Sequence, residues 1–216
     1  MQIRKQFASE HRTWQGAEGT KKWRNILWSD ETKINLFGSD SQRNVRRPAG
    51  KEFHPRFTKK TVKHGGGNIM VWACFSWYGV GPLFRIKNTM NAVDYKTIME
   101  EVMLPYAEEN MPLKWLFQQD NDPKQTSKLL KSWFITNKVA VLPWPSQSPD
   151  LNPIENLWNE LEKKLSGQFL SSKDKLWEKV QDEWYSIQLK TCQVLVDSMP
   201  RRVHKVLQNN GSYTGY

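Results

Sequence analysis

Apolar residues in the first half of the chain recur in short runs of the length expected for β-strands. The pattern predicts one strand over residues 23–30 and a second over residues 33–37, with a tight turn between them. Residues 69–75 are apolar at successive positions, which is typical of a central strand buried on both faces. A short strand over residues 83–86 is expected at the edge of the sheet.

The middle of the chain alternates between helix and strand patterns. Apolar positions at helical spacing predict helices over residues 92–109 and 126–137. Short apolar runs predict strands over residues 114–119 and 139–142. The first of these strands ends at Asp120, immediately before turn-forming residues.

Only helices are predicted beyond residue 150. Asn152 is a residue type that favours a helix N-cap, and Pro153 suits the first helical position. Further helices are expected over residues 172–188 and at the C-terminus, where Pro200 breaks the pattern. This order of elements indicates an α/β or α+β domain with a mixed sheet.

Composition narrows the class of protein. The chain has 216 residues, a formal net charge of +10 and 38% hydrophobic residues, enough for one domain with a buried core. Its two cysteines and four histidines show no metal-binding spacing. No apolar run approaches the roughly 18 residues of a membrane span, and no signal-peptide pattern follows Met1. We therefore expect a soluble intracellular domain with a polyanionic partner and no membrane contact.

Most of the formal net charge comes from one segment, residues 41–64. It contains Glu52 as its single acid, and Pro48, Gly50 and Pro55 oppose regular structure there. One interpretation is a solvated loop, and the other is a surface that contacts a phosphate backbone. The segment has eight basic residues: Arg43, Arg46, Arg47, Lys51, Arg56, Lys59, Lys60 and Lys63.

Three carboxylates stand out by position: Asp30 and Asp120 end predicted strands, and Glu155 lies in the first turn of a predicted helix. If these elements are neighbours, the carboxylates converge at one edge of the sheet. Such a cluster favours hard divalent cations, which can activate the oxygens of a phosphodiester reaction. Each acid also has a structural interpretation, because Glu155 can form a capping box with Asn152 and Asp120 can serve the turn.

Four motifs carry a resemblance to a known family. They are Trp-Ser-Asp-Glu-Thr-Lys at 28–33, Val-Lys-His-Gly-Gly-Gly at 62–67, Gln-Gln-Asp-Asn-Asp-Pro-Lys at 118–124, and Trp-Pro-Ser-Gln-Ser-Pro-Asp-Leu-Asn-Pro-Ile-Glu-Asn at 144–156. From about residue 7 to the C-terminus, the chain resembles the catalytic domain of mariner-superfamily transposases, particularly the Sleeping Beauty-like branch. The 34 residues between Asp120 and Glu155 match the spacing of that branch.

The resemblance implies an α/β, RNase H-like fold with a mixed five-stranded sheet flanked by helices. It also implies a DDE transposase that cuts and joins DNA at transposon ends. It implies Asp30, Asp120 and Glu155 as catalytic ligands of two Mg²⁺ ions, for which Mn²⁺ can substitute. The implied partners are double-stranded DNA and a second copy of the chain, and the implied location is the nucleus. The residues expected to contact DNA are Lys33, Arg56, Lys59, Lys60, Lys63, His64, Asn121, Lys124 and Gln125.

The chain departs from the family pattern at several places. Gln125 replaces the usual His, and the strip after the glycine motif carries Ala73 and residues 76–78 (Ser-Trp-Tyr) in place of smaller residues. Family members also carry upstream helix-turn-helix modules, which nothing here resembles. We therefore expect residues 1–22 to be a basic remnant of the linker to a missing DNA-binding domain, and residues 23–216 to be the catalytic domain.

These departures keep a rival interpretation open. A truncated or domesticated transposase can retain the fold as a non-catalytic module for DNA binding or dimerisation. Gln125 and the missing end-binding modules favour this rival, whereas the three carboxylates favour the enzyme.

Overall fold

A mixed four-stranded sheet forms the centre of the computed structural model, which describes residues 1–36, 67–87, 89–168 and 170–216. The strand order is β3-β2-β1-β4. Strands β1–β2 and β2–β3 pair antiparallel, and β1 and β4 pair parallel. The strands are β1 (Ile26–Asn35), β2 (Asn68–Ser76), β3 (Gly79–Ile86) and β4 (Leu116–Gln118).

Strand β1 corrects the prediction of two strands and a tight turn over residues 23–37. Trp23 lies in the last turn of a helix that ends at Arg24, and one continuous strand runs from Ile26 to Asn35. The polar residues Asp30 and Glu31 pair in register with Ala73 and Trp72 of β2, so their backbone groups are hydrogen-bonded without a turn. The polar residues at positions 30 and 31 therefore lie within a strand and do not form the predicted turn.

The predicted fifth strand over residues 139–142 is reduced to one isolated bridge in the described part of the chain. Val141 pairs in parallel with Phe117, and the Leu142 N–H donates to the Phe117 carbonyl at 2.8 Å. Pro143 and Pro145 follow at once, and neither has an N–H to donate. The ladder therefore stops after a single bridge.

The helices beyond residue 90 agree with the predicted pattern apart from their ends, whereas the helix over Gly16–Arg24 was not predicted. The predicted helix over 92–109 spans α3 and α4, which are joined by a π-helical turn at Met99–Met103. Pro105 lies at the start of α4 and cannot donate a backbone hydrogen bond to the preceding turn, which favours the wider π turn. The helices are α1 (Gln2–Glu10), α2 (Gly16–Arg24), α3 (Ala92–Ile98), α4 (Leu104–Asn110), α5 (Lys128–Thr136), α6 (Ile154–Leu165), α7 (Lys173–Tyr185), α8 (Leu189–Val196) and α9 (Met199–Gln208).

Two hydrophobic cores cover the two faces of the sheet. Trp28 belongs to the core shared with α1, α2 and α6–α9, whereas Leu27 belongs to the core shared with α3–α5. Because side chains alternate along a strand, Asp30 lies on the face of Trp28 and Glu31 on the face of Leu27. The strand prediction for residues 69–75 is confirmed, since β2 contributes buried side chains to both cores.

Residues 1–22 form α1 and most of α2, and Phe7 packs in the same core as Trp28. The guanidinium of Arg4 makes two 2.7 Å hydrogen bonds to the carboxylate of Asp150. The boundary expected at residue 22 stays a prediction. No helix in the described residues is both long and apolar enough to span a membrane.

Candidate active site

Asp30 and Asp120 lie on neighbouring parallel chain segments. The last registered pair of β1 and β4 is Trp28 with Gln118, so Asp30 and Asp120 occupy equivalent positions two residues further on. Ser29 fixes this register, because its hydroxyl donates to the Gln118 carbonyl at 2.8 Å and its N–H donates to the Gln118 Oε1 at 3.1 Å. The two aspartates are therefore held at the same end of the sheet, as the sequence predicted.

Glu155 comes from the first turn of α6, which packs against β1. Asn152 connects the two elements, because its Nδ2 donates to the Ser29 carbonyl at 3.2 Å. The N-cap residue is Pro153 and no side-chain cap is formed, so the expected N-cap role of Asn152 and its capping box with Glu155 are wrong. Asn152 instead fastens the start of α6 beside Asp30, which frees the Glu155 carboxylate for the site.

The carboxylates of Asp30 and Glu155 are electrostatically coupled. Burial raises the pKa of Asp30 well above its usual value, and the nearby charges of Glu155 and Glu31 raise it further. Burial and the charge of Asp120 raise the pKa of Glu155, while a hydrogen bond with Asp30 partly opposes this rise. The fold thus holds acids together at a cost that a bound cation relieves.

The donors fit a hard divalent cation by their chemistry. Carboxylate oxygens are the ligands that Mg²⁺ and Mn²⁺ prefer, and mutual repulsion disfavours leaving the cluster uncompensated. In the described part of the chain, however, no three His, Cys, Asp or Glu side chains stand close enough to form a ready-made ligand group. Asp120 is exposed on the loop after β4, whereas Asp30 and Glu155 are partly buried.

A second polar cluster lies on the opposite face of β1 and was missed by sequence reasoning. Gln125 is 3% exposed, and its Nε2 donates to the Glu31 carboxylate at 3.2 Å. Lys124 Nζ lies 2.8 Å from Asp122 and 3.7 Å from Glu31. Burial raises the pKa of Glu31, and Lys124 and Gln125 oppose that rise. Side-chain alternation along the predicted strand could have indicated this cluster, because it places Glu31 on the opposite face from Asp30.

The remaining predicted DNA contacts fall into two groups. Lys33 is exposed on β1, whereas Asn121 donates to the Trp144 carbonyl at 2.7 Å and so anchors the turn after Asp120. The others lie outside the described residues: Arg56, Lys59, Lys60, Lys63 and His64. All of these DNA contacts stay predictions.

The altered strip after the glycine motif is accommodated in the sheet. Ala73 lies opposite Asp30 in the β1–β2 register, and Ser76 accepts a hydrogen bond from the Tyr78 N–H at 3.1 Å in the β2–β3 turn. Trp77 packs under the Arg24 guanidinium, 4.6 Å from the ring centre. Trp77 thus packs against the end of α2 from the β2–β3 turn.

Comparison with known proteins identifies the family. Residues 25–177 match the family model described as DDE superfamily endonuclease. The chain belongs to that superfamily. It is 46% identical over 210 residues to the Tc1 transposase of Caenorhabditis elegans and 45% identical over 213 residues to the Tcb1 transposase of Caenorhabditis briggsae. The resemblance to mariner-superfamily transposases is thereby confirmed, and the chain is a homologue of enzymes of DNA transposition.

The alignments cover nearly all of this chain but only part of each related protein. The alignments take in 97% of this chain and 76% of Tc1 transposase, and 99% of this chain and 77% of Tcb1 transposase. The Mos1 transposase in its paired-end complex with the left transposon end matches with a TM-score of 0.83 at 19% identity, over 98% of this chain and 62% of that one.

The fold also matches the isolated catalytic domain of a transposase over most of both chains. The Mos1 catalytic domain, solved with raltegravir and Mn, matches with a TM-score of 0.75 at 18% identity, over 98% of this chain and 94% of that one. The RNase H-like α/β fold is confirmed, with four strands rather than five in the described sheet.

The role of Asn152 predicts a measurable loss of stability. Asn152→Ala removes the donor to the buried Ser29 carbonyl, and we expect the free energy of unfolding to fall by about 1–3 kcal/mol. Asn159→Ala is the matched control, since Asn159 is exposed on the same helix and its loss should cost less than about 0.5 kcal/mol. Urea denaturation of both variants checks the prediction, and equal midpoints would contradict it.

Proposed function

We propose that this chain catalyses metal-dependent cleavage and strand transfer of DNA at transposon ends, with Asp30, Asp120 and Glu155 as the metal ligands. The observation that carries the proposal is the coupling of these three carboxylates, contributed by β1, the loop after β4 and the first turn of α6. The relatives support it, since the Mos1 structures are described as complexes with transposon-end DNA and with Mg or Mn. When bound, two Mg²⁺ ions would supply positive charge to the attacking and leaving oxygens.

The proposed reaction has two steps at phosphorus. In cleavage, the oxygen of water bonds to the phosphorus and the 3′-oxygen leaves as a hydroxyl. In strand transfer, that 3′-hydroxyl attacks a target phosphodiester and releases a new 3′-hydroxyl on the target. Asp30 and Glu155 would hold the cations at the site. Their pKa values are raised by burial and by neighbouring charges, so each carboxylate favours a bound cation or proton that neutralises its charge.

Residues around the site would position the DNA. Lys33 is exposed on β1, and Lys124 is held beside Glu31 next to the carboxylates. Gln125 would act by holding Glu31, because its amide donates to that carboxylate and the side chain is buried. We also propose a homodimer in the DNA complex and action in the nucleus, where the DNA substrate lies.

The test is the joining of a pre-cleaved 3′-hydroxyl oligonucleotide to plasmid DNA. We expect product with Mg²⁺ or Mn²⁺, none with EDTA, and none from Asp120→Asn in either metal. Asp122→Asn is the matched control, because Asp122 lies two residues away and pairs with Lys124. It should retain activity within about tenfold.

Two outcomes would reject the proposal. One is product that forms equally with EDTA, and the other is equal product from Asp120→Asn. DNA binding by the wild type with no product in either metal would favour the rival function, a non-catalytic module for DNA binding or dimerisation.

A further inference from the structure

A concave cleft of about 1050 Å³ lies beside the candidate active site. Its walls are the start of β2 at Asn68–Met70, the end of β3 at Arg85–Lys87, and the turn at Asp122–Lys124. Lys173, the first residue of α7, closes one side. The cleft is thus built from elements that surround one end of the sheet.

The lining of this cleft is positively charged. Arg85, Lys87, Lys124 and Lys173 line it, with Asp122 as the acid among the lining residues. Arg85 pairs with Asp174 at 2.6 Å, and Lys124 pairs with Asp122 at 2.8 Å. Lys87 and Lys173 are exposed and make no ion pair within the described residues. Two uncompensated cations therefore face the cleft.

The position of Lys173 depends on Gly67, the last glycine of the glycine motif. A Cβ atom at Gly67 would lie 2.9 Å from Lys173 Cε and 3.2 Å from Lys173 Cγ. The absence of a side chain at Gly67 thus lets the lysine stem lie along the start of β2. Gly67 and Lys173, far apart in sequence, thus form one surface.

The cleft reaches the polar cluster around Glu31 through Lys124. Lys124 lines the cleft, and its Nζ lies 3.7 Å from Glu31. A polyanion that follows the cations from Lys173 to Lys124 would therefore arrive beside Glu31, which is next to Asp30 along β1 but on the opposite face of the strand. The floor of the cleft includes the apolar side chains of Met70, Ile86 and Met90.

We propose that this cleft binds the sugar–phosphate backbone of the DNA strand that extends away from the reacting phosphodiester. Phosphates would lie against Lys87 and Lys173, and deoxyribose would contact the apolar floor at Met70. Lys87 and Lys173, which have no ion-pair partner among the described residues, favour an anionic occupant, and a site that contacts only the backbone carries no base specificity. The inference rests on the proposed function for the identity of its ligand, DNA.

The test measures DNA affinity in the Asp120→Asn background, so that no reaction can occur. The probe is a fluorescein-labelled duplex of about 30 base pairs with arbitrary sequence, titrated by anisotropy at several salt concentrations. Lys87→Gln combined with Lys173→Gln should weaken binding by at least about tenfold near 0.1 M salt. The slope of the logarithm of the binding constant against the logarithm of the salt concentration should become shallower by about 1.8, because two phosphate contacts are lost. The matched control is Lys114→Gln combined with Lys190→Gln, two exposed lysines that do not line the cleft.

A second variant separates geometry from charge. Gly67→Ala leaves the charge unchanged but displaces Lys173, so we expect weaker binding with an unchanged thermal midpoint, because only a flexible side chain must move. The inference is overturned if the lysine pair and its control show the same salt dependence, or if the chain does not bind the duplex. Cleft-dependent binding together with no joining by the wild-type chain in either metal would favour the non-catalytic rival function and leave the DNA-binding cleft standing.

Discussion

Asp30→Asn is expected to abolish metal-dependent joining and, at the same time, to stabilise the metal-free fold at neutral pH. The activity loss should be roughly 10³-fold or more, because a lost metal ligand removes several kcal/mol of transition-state stabilisation. The gain in stability follows from the pKa of Asp30, which burial raises well above its usual value and the charges of Glu155 and Glu31 raise further.

The direction of the pH effect is fixed by that pKa. The folded chain binds the Asp30 proton more tightly than the unfolded chain, so wild-type stability falls as pH rises above the ordinary carboxyl pKa. Asparagine has no proton to lose, so the variant escapes this loss. Thermal unfolding at pH 4 and pH 7 measures the difference, which should be larger at pH 7.

Magnesium provides the internal check for Asp30→Asn. A cation that binds the folded wild type raises its thermal midpoint, and the effect should be absent in the variant. Glu101→Gln is the control, because Glu101 is an exposed carboxylate in the π-helical turn. A variant that joins DNA at the wild-type rate, or that keeps the full response to Mg²⁺, would rule out Asp30 as a ligand.

Arg4→Met is expected to lower the free energy of unfolding by about 3–5 kcal/mol, because it leaves the buried carboxylate of Asp150 without its cation. The Asp150 side chain is fully buried and also accepts the Thr214 N–H at 2.8 Å. The Arg202 guanidinium donates to the Asp150 carbonyl at 2.9 Å. One aspartate thereby joins α1, α9 and the C-terminal residues to the loop before α6.

A double-mutant cycle tests whether Arg4 and Asp150 are energetically coupled. Arg4→Met and Asp150→Asn together should cost less than the sum of the two single changes, as determined by urea denaturation of all four proteins. The control is Asp197→Asn, which breaks the half-exposed Arg24–Asp197 pair and should cost no more than about 1 kcal/mol. Additive losses would show that the pair is not coupled.

The Arg4–Asp150 pair is also expected to lose its contribution to folding stability in acid. Burial raises the pKa of Asp150, but hydrogen bonds from Arg4 and the Thr214 N–H outweigh it and hold the pKa below the usual value of 3.8. The stabilisation is therefore present above that value and lost as pH falls below it. Arg4→Met should lose less stability than the wild type between about pH 4 and pH 2.

Most of the helices could be predicted from the sequence, whereas strand boundaries could not. Helical spacing of apolar residues is a local signal, and the helices over 92–109 and 126–137 were identified by it. The break predicted within β1 was wrong because the polar residues Asp30 and Glu31 satisfy their backbone groups through β2, which is distant in sequence. The strand predicted over 139–142 needed a partner ladder that the prolines at 143 and 145 end.

The sequence by itself determined the family, the three carboxylates and the chemistry that such oxygen donors favour, because these depend on residue type and order. The tertiary structure decided which neighbours each of them has. Strand alternation sends Asp30 toward α6 and Glu31 toward Gln125, Asn152 fastens α6 to β1, and Asp150 serves as a buried anchor rather than a ligand. Each of these contacts joins residues remote in sequence, so only the packed fold could specify them.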